Sequence, residues 1–584
     1  MKRLLSTLWL LLCVVAIWAA KANGEPVTIT QPDGTQLTVV LHGDENVNWY
    51  TTLDGVLLVQ QNRAYYIAKV SDDGTLAATT LLAHSPLQRN NLEKAAIAAQ
   101  DYVAFQQQFV QKEAPVNKIS VDPNPQNHYF PHTGAPKALV LLVEFSDTTF
   151  SLADPKASFE QYLNGEGRPT NLGGREDLNY KSVKQYFSDM SNGTLTPVFD
   201  VKGVYHLAHP LAYYGEGKSD HIERLIPDAC QAAVNAGVDF SEYDADNDGY
   251  VDLVYVIYAG YSASISGNST DCIWPKSGTT NGGTYNGKKV FRYGVNNELN
   301  GYPGCYASEP HKRINGLGLF VHEFSHTMGL PDLYATSGST GDGENNQGME
   351  YWDVMDGGEY VNNGHYPTAY TAWEREVLGW FSPDTLTDTL AVEQLAPIDY
   401  GGKAFKIFNG DTQEYVMVQN IQQAGWNSKL PGHGLLAYRV NYQRSTVNVG
   451  DRPNNTKGQP QIVVLAADGM LKAASQCSSR DEYYTELAGD PYPGTTGCDS
   501  VSFEMTDHSI LNKPLVDINE SEEGYIRFDF LGKKTIVDNI STITSETDNR
   551  TSNNIYTLDG RYMGNRIENL PKGIYLYKGK KLVK

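Results

Sequence analysis

The sequence predicts a multidomain α+β protein: a central α/β domain, a β-rich amino-terminal unit ahead of it, and a β-sandwich and a small β unit behind it. Two observations carry this. At 584 residues the chain is too long for a single hydrophobic core. The apolar pattern also changes along it, from alternation over residues 23–86, to strands and helices in turn over 137–383, to short alternating runs between Gly and Pro turns over 384–530.

The first element is an export signal. Lys2-Arg3 precede an apolar run from Leu4 to Ala20, and Ala20-Lys21-Ala22 offers small residues for cleavage, so residues 1–22 read as a signal peptide and the mature protein as secreted or cell-surface. No later segment reaches the ~18 apolar residues of a membrane helix, so no transmembrane segment is expected. The net charge of −22 argues against nucleic acid and anionic membranes as partners and suits divalent cations. Turn signals at Pro32-Asp33-Gly34 and Asp54-Gly55 divide the strands of a unit spanning 23–118, which ends in a helix from about Leu87 to Lys112. The proline-interrupted stretch Val121–Asn127 marks a linker over 119–136.

In the central domain, 137–383, a strand at Ala138–Phe145 leads to helices near Ser182–Met190 and Asp220–Ala236. The next segment, Asp244-Ala245-Asp246-Asn247-Asp248-Gly249-Tyr250-Val251-Asp252, matches the first nine positions of a calcium loop. Asp244, Asp246, Asp248, Tyr250 and Asp252 are the candidate calcium ligands. Position twelve is Tyr255, where an EF-hand needs glutamate, so the loop feeds a strand; an acidic turn without an ion is the alternative. Then comes Val321-His322-Glu323-Phe324-Ser325-His326-Thr327-Met328-Gly329-Leu330-Pro331-Asp332. On a helix, residues four apart share a face, so His322 and His326 can both aim at one zinc ion, while Glu323 is placed to take a proton from the attacking water and hand it to a leaving group. Leu317, Val321, Phe324 and Met328 recur at helical spacing as the buried face. Gly329 permits the bend that returns Asp332 as a third ligand, although Glu350, Asp356 and Glu359 stay open as alternatives. His365 and Tyr366 are candidates to hydrogen-bond a tetrahedral oxyanion, or equally loop residues.

The pattern His-Glu-x-x-His-x-x-Gly-x-x-Asp resembles the metzincin clan, and its Leu-Pro-Asp ending resembles the immune inhibitor A family of secreted metalloproteases. Lys137–Phe145, Ser182–Phe187, Trp352-Asp353-Val354-Met355-Asp356-Gly357-Gly358 and Leu378-Gly379-Trp380 extend the resemblance over most of residues 137–535. It implies a zincin-type α/β catalytic domain, zinc as cofactor, protein or peptide substrates, and Met355 in a tight turn beneath the metal. It also implies that 23–118 is a propeptide that keeps a zymogen inactive. Because 23–118 contains no cysteine, a carboxylate such as Asp33, Asp44 or Asp54, or steric cover, has to do this. Cys272 with Cys305 and Cys477 with Cys498 are expected as local disulfides, with Cys230 a buried thiol. Residues 384–535 read as a β-sandwich, and 536–584 resemble the sorting units of type IX secretion, which would engage secretion machinery. Two other functions fit parts of the sequence: a calcium-stabilised surface binding protein with an inactive protease fold, and a zinc hydrolase of non-peptide substrates.

Overall fold

The computed structural model describes the chain apart from residues 1–16, 20, 21, 23, 44–47, 62, 72–73, 103–104, 106–119, 168–177, 216–221, 266–270, 304–312, 337–345, 411, 443–445, 533–554, 558–565, 568–569, 571–573 and 578–579. It is a mixed α/β chain with several sheets and few helices. Most of the signal-peptide expectation, Asp44 and Cys305 fall outside the described residues.

The central sheet runs in the order Ile17–Ala19, Lys276–Thr279, Arg292–Leu299, Val254–Tyr261, Lys137–Glu144, Val198–His206. The last four are parallel to one another, while Lys276–Thr279 and Ile17–Ala19 run antiparallel at one edge. Alternation explains how the sheet is covered. Leu139, Leu141 and Val143 face one way with Val254, Val256 and Tyr258, and pack on Leu225, Ile226, Ala229 and Ala233 of the helix Ile222–Asn235. Val140, Leu142, Tyr255 and Ile257 face the other way, onto Phe320, Val321 and Phe324 of the helix Leu317–Thr327. The sequence pattern predicts one buried stripe on this helix, but all eleven of its residues are buried, because the turn 350–360 covers the side away from the sheet. At Gly318 a Cβ would stand 1.9 Å from the Glu359 carbonyl oxygen, so only glycine allows that approach.

The amino-terminal unit is a six-stranded antiparallel meander in sequence order from Val27–Thr30 to Leu76–Leu82. Of the helix expected over about 87–112, Asn91–Ala98 is one helix, Tyr102 and Phe105 are helical again, and residues 106–112 lie outside the described residues. Asn90 caps the start and Gln100, just beyond the end, turns its amide back onto Leu57 O and Ala68 O. Residues 121–136, expected as a linker, are threaded into the main body. Phe130 is fully buried against Phe324 at 4.9 Å, its N–H donates to Thr327 O at 2.9 Å, and His132 Nε2 donates to Met328 O at 2.7 Å.

Residues 384–531 form a five-stranded and a three-stranded sheet facing each other across Phe405, Ile407, Val416, Val418, Ile518, Ile526 and Phe528. The opposite face of the larger sheet, with Tyr415, Met417, Leu436, Tyr438 and Ile462, belongs to the same core as the Leu317–Thr327 helix. Met1–Leu531 therefore make one compact unit. Gly532–Lys584 make a second, whose antiparallel strands Ile555–Thr557, Ile574–Tyr577 and Lys580–Val583 enclose Ile555, Leu570 and Tyr575.

The expected Cys477–Cys498 disulfide is corrected. Both are unbridged thiols: Cys477 packs on the main core, Cys498 lies at the edge of the core between the two carboxy-terminal sheets, and its Sγ donates to Ser500 O at 3.4 Å. Cys230 is a fully buried thiol, and burial pushes its pKa up.

Candidate metal centre

The helix Leu317–Thr327 carries His322 and His326 on one face, and the left-handed Gly329 (φ +101) ends it so that the chain doubles back to Asp332. His322 Nε2 and His326 Nε2 lie 3.1 Å apart, and Asp332 Oδ1 lies 3.2 Å from each. A tetrahedral ion with ligand bonds of ~2.0–2.1 Å spaces its ligands about 3.3 Å apart, so the triangle is zinc-sized.

The second nitrogens explain why these atoms converge. His322 Nδ1–H donates to Val354 O at 2.8 Å, and His326 Nδ1–H donates to Leu330 O at 2.7 Å. Carbonyls only accept, so each neutral ring keeps its lone pair on Nε2. Three electron-rich atoms thus crowd together, all fully or almost fully buried, and a metal ion or a proton among them relieves the repulsion. The protein's own charges reflect that demand. Burial opposes a charge on His322, but Glu359, Asp332 and Glu323 outweigh it and hold the imidazole well above its ordinary range. At His326 burial prevails and lowers the pKa. Burial would raise Asp332, yet the two histidines pull its carboxyl well below the usual range.

Of the alternative third ligands, none joins the triangle. Asp356 Oδ2 accepts from Met349 N and Glu350 N at 2.9 and 3.0 Å, and Glu350 accepts from the Tyr483 hydroxyl. Glu359 Oε2 stands 3.6 Å from His322 Nδ1, behind the ring. Glu323 is fully buried one residue after His322, and its charge is felt by Tyr255, His322 and Tyr360. Met355 is fully buried in the turn behind the site; its carbonyl accepts from Leu333 N at 2.8 Å and its N–H donates to Asp353 Oδ1 at 2.7 Å.

His365 and Tyr366 have their contacts elsewhere. His365 Nδ1 meets Asn179 Oδ1 at 3.0 Å, the oxygen that also accepts from Leu317 N at the helix start, and burial holds the His365 pKa down at about 3. Tyr366 stacks on Tyr180 at 5.4 Å beneath the Lys429 ammonium.

The acidic loop folds on itself. Asp244, Asp246 and Asp248 offer oxygens within 4.8 Å of one another, but Asp244 Oδ2 lies 2.5 Å from Lys288 Nζ and Asp248 Oδ2 lies 2.6 Å from His128 Nδ1. Asp252 accepts from Ala245 N at 3.1 Å, and burial, reinforced by its acidic neighbours, pushes it up to about 7. Tyr250 stacks on His128 at 3.8 Å. Asp33 pairs with His84 and Asp54 with Arg89, both inside the amino-terminal unit.

Sequence reasoning missed the supporting groups: the Val354 and Leu330 carbonyls, the hydroxyl pair Ser325–Tyr370, and the buried carboxyls of Asp353 and Glu374, which lie together and are both raised by burial, Asp353 to about 7. Only the Trp352–Gly358 segment gave any sign of them.

With this geometry in view, comparison with known proteins is informative. Residues 126–381 match the family Immune inhibitor A peptidase M6, catalytic domain. The chain is 28% identical over 298 residues to Immune inhibitor A of Bacillus thuringiensis subsp. alesti, covering 44% of this chain and 42% of that protein. It is 24% identical over 275 residues to Pre-pro-metalloprotease PrtV of Vibrio cholerae serotype O1 (strain ATCC 39315 / El Tor Inaba N16961), covering 41% and 29%. The chain thus spans less than half the length of either relative.

Proposed function

We propose that this chain is a secreted zinc-dependent endopeptidase made as a zymogen, with His322, His326 and Asp332 holding the metal and Glu323 acting as general base. The observation that carries the proposal is the buried triangle of three lone-pair atoms spaced 3.1–3.2 Å apart, with the Glu323 carboxyl buried on the same helix. A bound zinc ion would lower the pKa of a water and polarise the scissile carbonyl. Glu323 takes the proton released as the water attacks and returns it to the departing amine. The Val354 and Leu330 carbonyls keep both imidazoles in the ligating tautomer, and the Glu359 carboxylate behind His322 favours a cation bound to that ring. The match of residues 126–381 to a peptidase family supports protein or peptide substrates over glycans or small amides.

The proposal divides the chain into a signal peptide (1–22), a propeptide (23–118), a joining segment (119–136), the catalytic domain (137–383), a β-sandwich (384–535) and a sorting unit (536–584) that hands the protein to secretion machinery. No helix among the described residues is long and apolar enough to cross a membrane. The test is casein cleavage by the processed protein. Replacing Glu323 with Ala should cut the rate by roughly 10²–10⁴-fold, as loss of a general base does, and a zinc chelator should abolish it. Undiminished cleavage by the variant would refute the assigned base, and no cleavage by processed, metal-loaded wild type would favour a binding protein or a non-peptide hydrolase.

We also assign a structural calcium ion to Asp244, Asp246, Asp248, the Tyr250 carbonyl and Asp252. Lys288 is the competing counter-charge, and EGTA separates the two: a lower unfolding midpoint supports calcium, whereas an unchanged one gives the role to Lys288.

A further inference from the structure

Beside the metal helix lies a cavity of about 290 Å³, lined by Gly316 and Leu319 of that helix and its cap, Glu359 and Asn363 of the following turn, Arg480, and Glu25 of the amino-terminal unit. Across it Arg480 Nη1 lies 3.1 Å from Glu25 Oε1. The guanidinium is aimed by neutral partners: Nη1 donates to Asn363 Oδ1 at 2.9 Å, and the group lies 5.4 Å over the Tyr484 ring. Glu359, the other acid of the wall, faces His322. When Glu25 leaves, Arg480 keeps hydrogen-bond and ring partners and loses the carboxylate it pairs with.

We propose that Arg480 forms a subsite for an acidic side chain of the peptide substrate, occupied in the full chain by Glu25. This rests on the peptidase reading above. The Glu25 segment, Gly24–Val27, lines the same cavity as the start of the metal helix. The chain's own segment thus lies along the same face as the metal helix with a carboxylate against the arginine. A peptide entering once the amino-terminal unit has left meets the same guanidinium, whose fork suits a carboxylate.

The test is calorimetric titration of the full chain carrying Glu25→Ala with two probes, N-acetyl-glutamate methylamide and N-acetyl-glutamine methylamide. The acidic probe should bind about tenfold tighter or better, as a charge-assisted pair implies. The preference should vanish when Arg480→Gln is added and survive in part with Arg480→Lys. The wild-type chain, in which Glu25 competes, should bind the acidic probe at least about tenfold more weakly than Glu25→Ala does. Equal affinity for the two probes, a preference that outlasts Arg480→Gln, or equal binding by wild type and Glu25→Ala would each overturn the subsite; the last comparison stands even if the Arg480 variants fail to fold. No bond is cleaved in the titration, so a missing peptidase activity would refute the proposed function without deciding this result.

Discussion

At the scale of single residues, the proposed metal triangle depends on groups outside it. The Glu359 carboxylate, 3.6 Å from His322 Nδ1, makes that imidazole a stronger donor to a cation, so Glu359→Gln should weaken zinc binding by about 10–100-fold, the usual range for such supporting groups, measured by competition with a chromogenic chelator. A second residue-scale effect concerns the amino-terminal unit. The Arg89 guanidinium beside Asp54 holds that carboxyl at about 2, below its unfolded value of 3.8. A lowered folded pKa means that the stabilisation is complete above 3.8 and is lost as pH falls towards 2. Asp54→Asn should flatten the decline in unfolding midpoint over that acid limb and leave it nearly parallel to wild type above pH ~5. The two proposed histidine ligands were legible in the sequence because helical periodicity fixes His322 and His326 on one face without knowledge of the fold. Asp332 was legible only as one of several acids, since spacing alone does not say how the chain turns after Gly329.

At the scale of elements, the segment 121–136 is where local sequence misled. Its prolines and asparagines signal a linker, yet Phe130 fills a slot against Phe324, its N–H takes up Thr327 O and the His132 ring takes up Met328 O, acceptors at the end of the helix Leu317–Thr327. Phe130→Ala should therefore cost about 3–5 kcal/mol, as for other buried Phe truncations, measured by denaturant unfolding. A true linker would lose almost nothing. The strands and helices of the central sheet were readable from periodicity because their burial alternates or recurs regularly. The turn at 350–360 was not, because its residues are buried by a distant helix and carry polar groups such as Asp353 and Asp356 that bind backbone amides. The close approach at Gly318 gives the same lesson, since nothing in the sequence marks that glycine as the one facing Glu359.

At the scale of the whole molecule, the β-sandwich is inseparable from the domain before it. The larger carboxy-terminal sheet shares a core with the metal helix, Asp490 accepts from Trp352 Nε1 at 2.7 Å, and Asn454 Nδ2 donates to Leu333 O at 2.6 Å, one residue from Asp332. A chain ending at residue 383 should thus fail to fold cooperatively, whereas one ending at residue 531 should keep the wild-type unfolding transition of the main unit and its zinc. The sequence indicated where β structure begins but not that two regions share one interior, because alternation says which residues turn inward and not what lies opposite them.

The central claim is that His322, His326 and Asp332 hold zinc while Glu323 does not. It is tested most directly by counting zinc per purified chain, by plasma mass spectrometry, in wild type, Glu323→Ala, Asp332→Ala and Glu350→Ala. The account predicts near-stoichiometric zinc in wild type, Glu323→Ala and Glu350→Ala, and its loss in Asp332→Ala; zinc retained by folded Asp332→Ala, or lost from folded Glu323→Ala, would contradict it.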